Sequence, residues 1–397
     1  MGTGALVAQE ALRDSLASET VAEARQRELE HAPHNVQWGD LQMQVTPSLA
    51  VEWDDNLNLT STQPVAGVAL RPTVSLDAVR PWGHANAFKF ALTAGYEHYF
   101  ARESFDRRII EPGSELSADV YVRDFVINVH ERPSFIEESD RDAAVWGYGR
   151  FGGFSNTAGF SVLWDLRDLV VSVGYDHFNF LSSSGQFNYL DRAAEQAIAR
   201  AGYQVHPTAT VGLEVSGGPT SYDRPYLNDN LSLSVGAYAD WRLTPHLRLQ
   251  PRVGYVTYTF QGVGVAGTPA DFTSYYWGLR LTHQVNARIS YDLDSGRNTR
   301  LGIYANLLDQ WETNLRVTWR VINNVSLLTQ FSYVRGNDPF WMFGDEFQRF
   351  GGNLELAYRL LDRLTVSLDY WHWDRISNLA VAQYQENRVS LRFDYRL

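Results

Sequence analysis

The chain has 397 residues, a formal net charge of -12, a pI near 5.3, no cysteine and 13% aromatic residues. That acidic balance excludes nucleic acid as a partner, because phosphate binding needs a basic footprint, and the lack of cysteine excludes disulfides, thiolate metal sites and Cys nucleophiles. No run of roughly 18 apolar residues occurs, so a transmembrane helix is excluded, whereas a transmembrane barrel is not.

Met1 leads into a short apolar run without a basic flank, so no complete signal peptide is expected there. Residues 9 to 31 are dense in Ala, Glu, Arg and Leu, with Glu23 and Arg27 spaced to pair along a helix, but little apolar surface is available to bury. Residues 1–38 therefore read as a short N-terminal extension, helical or disordered, and 39–397 as one domain. From Leu41 the period changes to two. Leu41, Met43, Val45, Pro47, Leu49, Val51 and Trp53 share one face, opposite Gln42, Gln44, Thr46, Ser48 and Glu52. After a polar loop, Val68, Leu70, Val74 and Leu76 oppose Arg71, Thr73, Ser75 and Asp77; the turn at 81–84 then leads to Phe88, Phe90 and Leu92 opposite Lys89.

The same unit recurs to the end of the chain. Tight turns are expected at 122–124, 165–168, 206–208, 244–246, 285–287, 322–324 and 361–363. Longer polar connections fall near 101–113, 135–145, 182–190, 220–228, 261–270, 337–347 and 376–383. Short turns at one end and long loops at the other are the habit of outer-membrane barrels. Three stretches break the pattern: the glycines at 147, 149, 152 and 153 suggest a bulge or bend, the alanines of 191–204 suit a helix, and a loop is expected at Ser295 to Asn298. The last strand is the clearest. From Arg388 onward Val389, Leu391, Phe393 and Tyr395 alternate with Ser390, Arg392, Asp394 and Arg396.

The expectation is an all-β fold, a single closed transmembrane antiparallel β-barrel of about 18 strands, with 16 as the even-numbered fallback. Its place is the bacterial outer membrane, among outer-membrane lipid and lipopolysaccharide, inserted by the barrel-assembly machinery. The lumen-lining candidates are Arg71, Asp77, Lys89, Glu97, Arg248, Arg252, Arg280, Arg316, Arg320, Glu355, Arg359, Asp369, Arg388 and Arg392. Ladders of both signs stabilise such a wall and select solutes. The aromatic stretch 337–350 offers Phe340, Trp341, Phe343, Asp345 and Phe347 as loop ligands for sugar rings, although girdle packing explains the same residues.

No enzyme is expected. Asp176 beside His177, and His372 near Asp374, are acid and histidine pairs, but neighbours in a strand point to opposite faces. The run Asp292 to Gly296 has the look of a calcium loop but lacks the bidentate Glu at the twelfth position, where Ile303 stands. Neither a cofactor nor a metal is expected.

The acidic opening Glu52 to Thr60 and the closing run Asn387 to Leu397 resemble the β-barrel porin family associated with exopolysaccharide export, of the porin-2 type. The chain departs from it at Leu397, where an aromatic is usual. The resemblance implies a porin-like channel, a conduit for exported polysaccharide or anionic solutes, with a periplasmic polysaccharide-export partner or an envelope assembly beside it. The alternative is a structural outer-membrane anchor with a filled lumen.

Overall fold

The computed structural model describes residue 29 and residues 33–83, 85–262, 271–338 and 344–397. The strands in chain order are β1 (Leu41–Asp54), β2 (Gly67–Trp82), β3 (Asn86–Tyr99), β4 in two pieces (Arg107–Ile110 and Glu115–Val122), β5 (Phe125–Ile136), β6 (Gly153–Asp165), β7 (Leu169–Ser182), β8 (Arg192–His206) and β9 (Ala209–Tyr222). They continue as β10 (Asp229–Thr244), β11 (Leu247–Gln261), β12 (Phe272–Gln284), β13 (Ile289–Leu301), β14 (Leu307–Ile322), β15 (Val325–Asp338), β16 (Asp345–Leu361), β17 (Leu364–Ser377) and β18 (Tyr384–Tyr395). Each pairs antiparallel with the next. A short strand, Val36–Trp38, lies against the start of β1.

The sheet closes on itself. β18 pairs with β1 in the register Ser48 to Asp394, Val51 to Leu391 and Asp54 to Arg388, and the Ser48 hydroxyl donates to Asp394 at 2.5 Å. Closure removes the free edges that an open sheet would expose, the condition under which strands can stand in a bilayer. The expected short turns all occur, and the longer connections lie at the opposite end. β8 and β13 correct two expectations. The alanines of 191–204 form a strand, because alternate inward positions there carry Gln196, Ile198, Arg200 and Gly202 against complementary neighbours on β7 and β9. Ser295 to Asn298 continue β13, with Gly296 directly opposite Gly278 and Glu312, so Asp292 and Asp294 sit in a ladder and form no calcium loop.

The outward face is apolar and exposed, as lipid requires. It carries Val51, Leu213, Val253, Leu356 and Leu391, with Leu213 68% exposed. Aromatic side chains gather at the short-turn end: Trp82 stacks on Phe88 at 5.6 Å and Phe125 on Trp164 at 5.4 Å, with Tyr203, Trp241, Trp319, Tyr358 and Tyr395 continuing the ring. Such a girdle marks a membrane interface, and the shortness of the turns beside it belongs to the periplasmic side. Strands of 13 to 17 residues are common here, beyond the roughly 9–11 that a tilted strand needs to cross, so the wall rises above the outer leaflet.

Candidate pore and its constriction

Because pairing partners share a face, the registers fix which residues look inward. The even residues of β1 meet the odd residues of β2, β3 and β4, the even residues of β5 meet the odd residues of β6, and from β7 to β15 the inward set is even throughout. β16 and β17 present odd residues and β18 even ones. All fourteen lumen candidates fall on this inward face. They do not form one site, and they differ in what they touch.

Arg71, Glu97, Arg388 and Arg392 are bound into networks with acids. Arg392 meets Glu355 at 3.0 Å and Asp369 at 4.0 Å, and Arg388 meets Glu52 at 3.8 Å across the closing seam. Arg107 stands 3.6 Å from Glu97, both fully enclosed. Lys89 pairs with Asp119 at 2.8 Å, Arg280 with Asp294 at 2.7 Å, and Arg248 with Asp240. By contrast Asp77, Arg316, Arg320 and Arg359 are exposed to the lumen, and Arg252 lies over the Tyr276 ring at 5.9 Å. Arg252, Arg316, Arg320 and Arg359 have no ion-pair partner among the described residues.

What fills the extracellular half is the connection between β5 and β6, residues 137–152. Glu138 takes Arg71 of β2 at 2.9 Å, and Arg71 also binds Glu111 at 2.5 Å. Glu111 continues the inward odd set of Arg107 and Ile109, just before β4 breaks at 111–114, where Gly113 has φ +104°. Asp140 takes Arg388 of β18 at 2.9 Å, and its backbone carbonyl accepts from Arg349 of β16. Asp142 takes Arg300 of β13 at 2.7 Å. The Ala143 carbonyl accepts from Arg375 of β17 at 2.9 Å, and the Gly149 carbonyl from Arg107 of β4 at 3.1 Å. Only a segment inside the barrel reaches six staves spread around the ring. Its return is possible because residue 152 is glycine: φ is +127° and a Cβ there would stand 2.1 Å from the Ile136 carbonyl oxygen.

The loop is anchored by apolar packing as well as charge. Ala143, Ala144 and Val145 are buried with Phe187, Leu190, Leu227, Ile303, Leu308, Val334 and Phe347, contributed by other connections and by the tops of β14–β16. The Gly147 amide donates to the Leu59 carbonyl at 2.9 Å. Burial opposes ionisation of Glu138, yet Arg141, Arg71, Arg388 and Arg107 overcome it and hold its carboxyl well below the usual carboxylate range. Asp142 is lowered in the same way, against burial, chiefly by Arg300 and by the Ala144 amide.

Several functional side chains escape sequence reading. Residues 137–142 are visible as a charged run, but nothing in their spacing says that they turn inward. Arg349 was hidden by the expectation of a loop over 337–350, and Arg375 stands just before the connection expected at 376–383. In fact Asp345 and Phe347 belong to β16 and are buried; Asp345 binds Arg375 at 2.6 Å and Phe347 lies beneath the same guanidinium at 4.3 Å. They therefore present no free ligand surface, because alternation sends Phe347 and Arg349 inward and Glu346 and Gln348 out. Phe340, Trp341 and Phe343 lie outside the described residues, as do residues 1–28. Asp176 and His177 part as alternation demands, Asp176 meeting His130 inside at 2.9 Å and His177 meeting Glu195 outside at 2.8 Å, whereas His372 and Asp374, two residues apart, share the outward face of β17, where His372 meets Asn387 at 2.9 Å.

A closed transmembrane barrel of eighteen strands, short-turned below and narrowed from within by one loop, has the architecture of an outer-membrane porin. The chain belongs to the family described as "Putative beta-barrel porin 2", whose model matches residues 39–396. Among solved structures it is similar to Pseudomonas aeruginosa OpdK with vanillate, at 11% identity and TM-score 0.48, covering 89% of this chain and 99% of that one. It is also similar to Pseudomonas aeruginosa OccK5 (OpdH), at 10% identity and TM-score 0.49 with 89% and 98% covered, and to a BenF-like porin from Pseudomonas fluorescens Pf-5, at 10% identity and TM-score 0.48 with 89% and 99% covered. A search of curated proteins found no match.

Proposed function

We propose that this outer-membrane porin is a passive channel for small charged solutes, filtered at the constriction formed by residues 137–152 and drawn along the arginine-bearing wall beneath it. One observation carries this reading: the loop is fixed across the lumen by charged and backbone contacts to six strands, while below it Arg316, Arg320 and Arg359 stand exposed. Fixed cations in a narrow wet passage favour entry of anions over cations. Polysaccharide export draws nothing from the comparisons, and a loop fixed across the lumen narrows it against a polymer. No reaction is assigned to the acid and histidine pairs.

The test is single-channel recording in planar bilayers. Folded protein should give discrete conductance steps with an anion preference in a salt gradient. Absence of any conductance above the bare bilayer, from protein shown to be folded, sinks the channel reading. A second reading is favoured by the dry apolar cluster around Val145: a barrel whose filled extracellular half serves as an envelope anchor. That reading predicts no conductance in the wild type and its appearance only when the loop is released.

A further inference from the structure

Arg192 opens β8 at the extracellular end and faces the lumen between its two register partners, Phe180 of β7 and Tyr222 of β9. Its guanidinium lies 5.2 Å from the Phe180 ring centroid, 5.6 Å from that of Phe178 and 6.0 Å from that of Tyr222. One of its nitrogens donates to the Leu190 carbonyl at 3.2 Å. Among the described residues it makes no ion pair, and its remaining donors have no protein acceptor. The carboxylates around it are committed elsewhere. Asp191 accepts from the Ser182 amide at 2.6 Å, Asp229 from the Tyr222 amide at 2.7 Å, and Asp142 holds Arg300. One further feature points to a ligand: the Tyr222 hydroxyl is buried without a hydrogen-bond partner.

An arginine held by three rings yet left with free donors differs from the other caged arginines of this mouth. Arg349 and Arg375 also lie over rings, but each is occupied by backbone carbonyls or a carboxylate. We infer that Arg192, with the Tyr222 ring on one side of it, is a binding station for a small carboxylate in transit through the lumen, the rings of Phe178 and Phe180 giving its apolar body a surface. This rests on the channel reading for its purpose, though not for its existence. A guanidinium fork matches a carboxylate in two parallel hydrogen bonds, and the aromatic walls limit competing water.

Benzoate is the probe. Calorimetric titration of the folded barrel in detergent should show binding, weakened about ten- to a hundredfold in Arg192→Gln by loss of charge-assisted hydrogen bonds, and only partly restored in Arg192→Lys, which keeps the charge without the fork. Arg363→Gln, exposed in the short periplasmic turn after β16, should bind as the wild type does. In planar bilayers benzoate should interrupt the chloride current of the wild type and fail to do so in Arg192→Gln. Equal affinity in wild type and Arg192→Gln overturns the station, as does the absence of benzoate binding by the wild type. A wild type that binds but never conducts supports the station and sinks the channel reading, so the two fail separately.

Discussion

The two halves of the lumen are built on opposite principles. In the extracellular half, inward side chains are packed as in a protein core: Glu97, Arg107 and Arg375 are all less than 5% exposed, and their charges are matched by neighbours or by the loop laid across them. In the periplasmic half of β14–β16, the same residue type on the same face stands in water, as Arg316, Arg320 and Arg359 do. Alternation decides only that a residue points inward; whether it becomes a strut or a solute-facing charge depends on what comes down from above. The arginines near the short turns of β14 and β16 have nothing over them. One near the long loops has a carboxylate or carbonyl delivered to it.

The sharpest way to break this contrast is to remove a buried strut. Arg375→Ala leaves Asp345 enclosed without its cation and strips the Ala143 and Ala382 carbonyls of a donor, so unfolding in urea should show a loss of about 3–5 kcal/mol. Arg388→Ala, which frees Asp140 and unfastens the loop from β18, should cost somewhat less, about 2–4 kcal/mol, and should raise single-channel conductance and current noise. Third is acidification. Glu138 and Asp142 are held below their ordinary values in the folded state, so their contribution is complete above the usual carboxylate range and is lost as pH falls through the depressed values. Loop contacts should therefore survive at mildly acidic pH and give way only below about pH 4, seen as a rise in conductance on stepping the bath downward. The smallest structural effect belongs to the wet half: Arg316→Ala and Arg359→Ala should change stability by no more than about 0.5 kcal/mol while lowering the anion-to-cation permeability ratio measured from reversal potentials.

This division also explains what could be read from the chain. The turns from 122–124 to 361–363, the closing pair of first and last strands, and the inward set were legible because a period of two repeats over many strands and because lipid outside and water inside demand opposite residues at neighbouring positions. β8 was obscured because its outward face is lined by Ala193, Ala197, Ala199 and Ala201, small residues that lack the bulk by which a lipid-facing strand is recognised. β13 was obscured because Gly296 and Ser295 look like a turn, whereas Gly296 is a tight-packing point against the Trp277 carbonyl. The loop at 137–152 was legible as charged but not as inward. Its partners, Arg71, Arg300, Arg349, Arg375 and Arg388, are set by a closed ring, and a ring is a property of the whole chain rather than of any segment.

The loop is also fastened on both sides of the seam between β18 and β1, to Arg388 on one side and to Arg71 one strand beyond on the other. In an unclosed sheet these two arginines stand near opposite edges, hundreds of residues apart along the chain, and Glu138 and Asp140 cannot reach both. Docking of the constriction is therefore an event that follows insertion of the last strand. The narrowing loop then acts as a latch across the join, so contacts that need the closed ring guard the point at which the barrel would reopen.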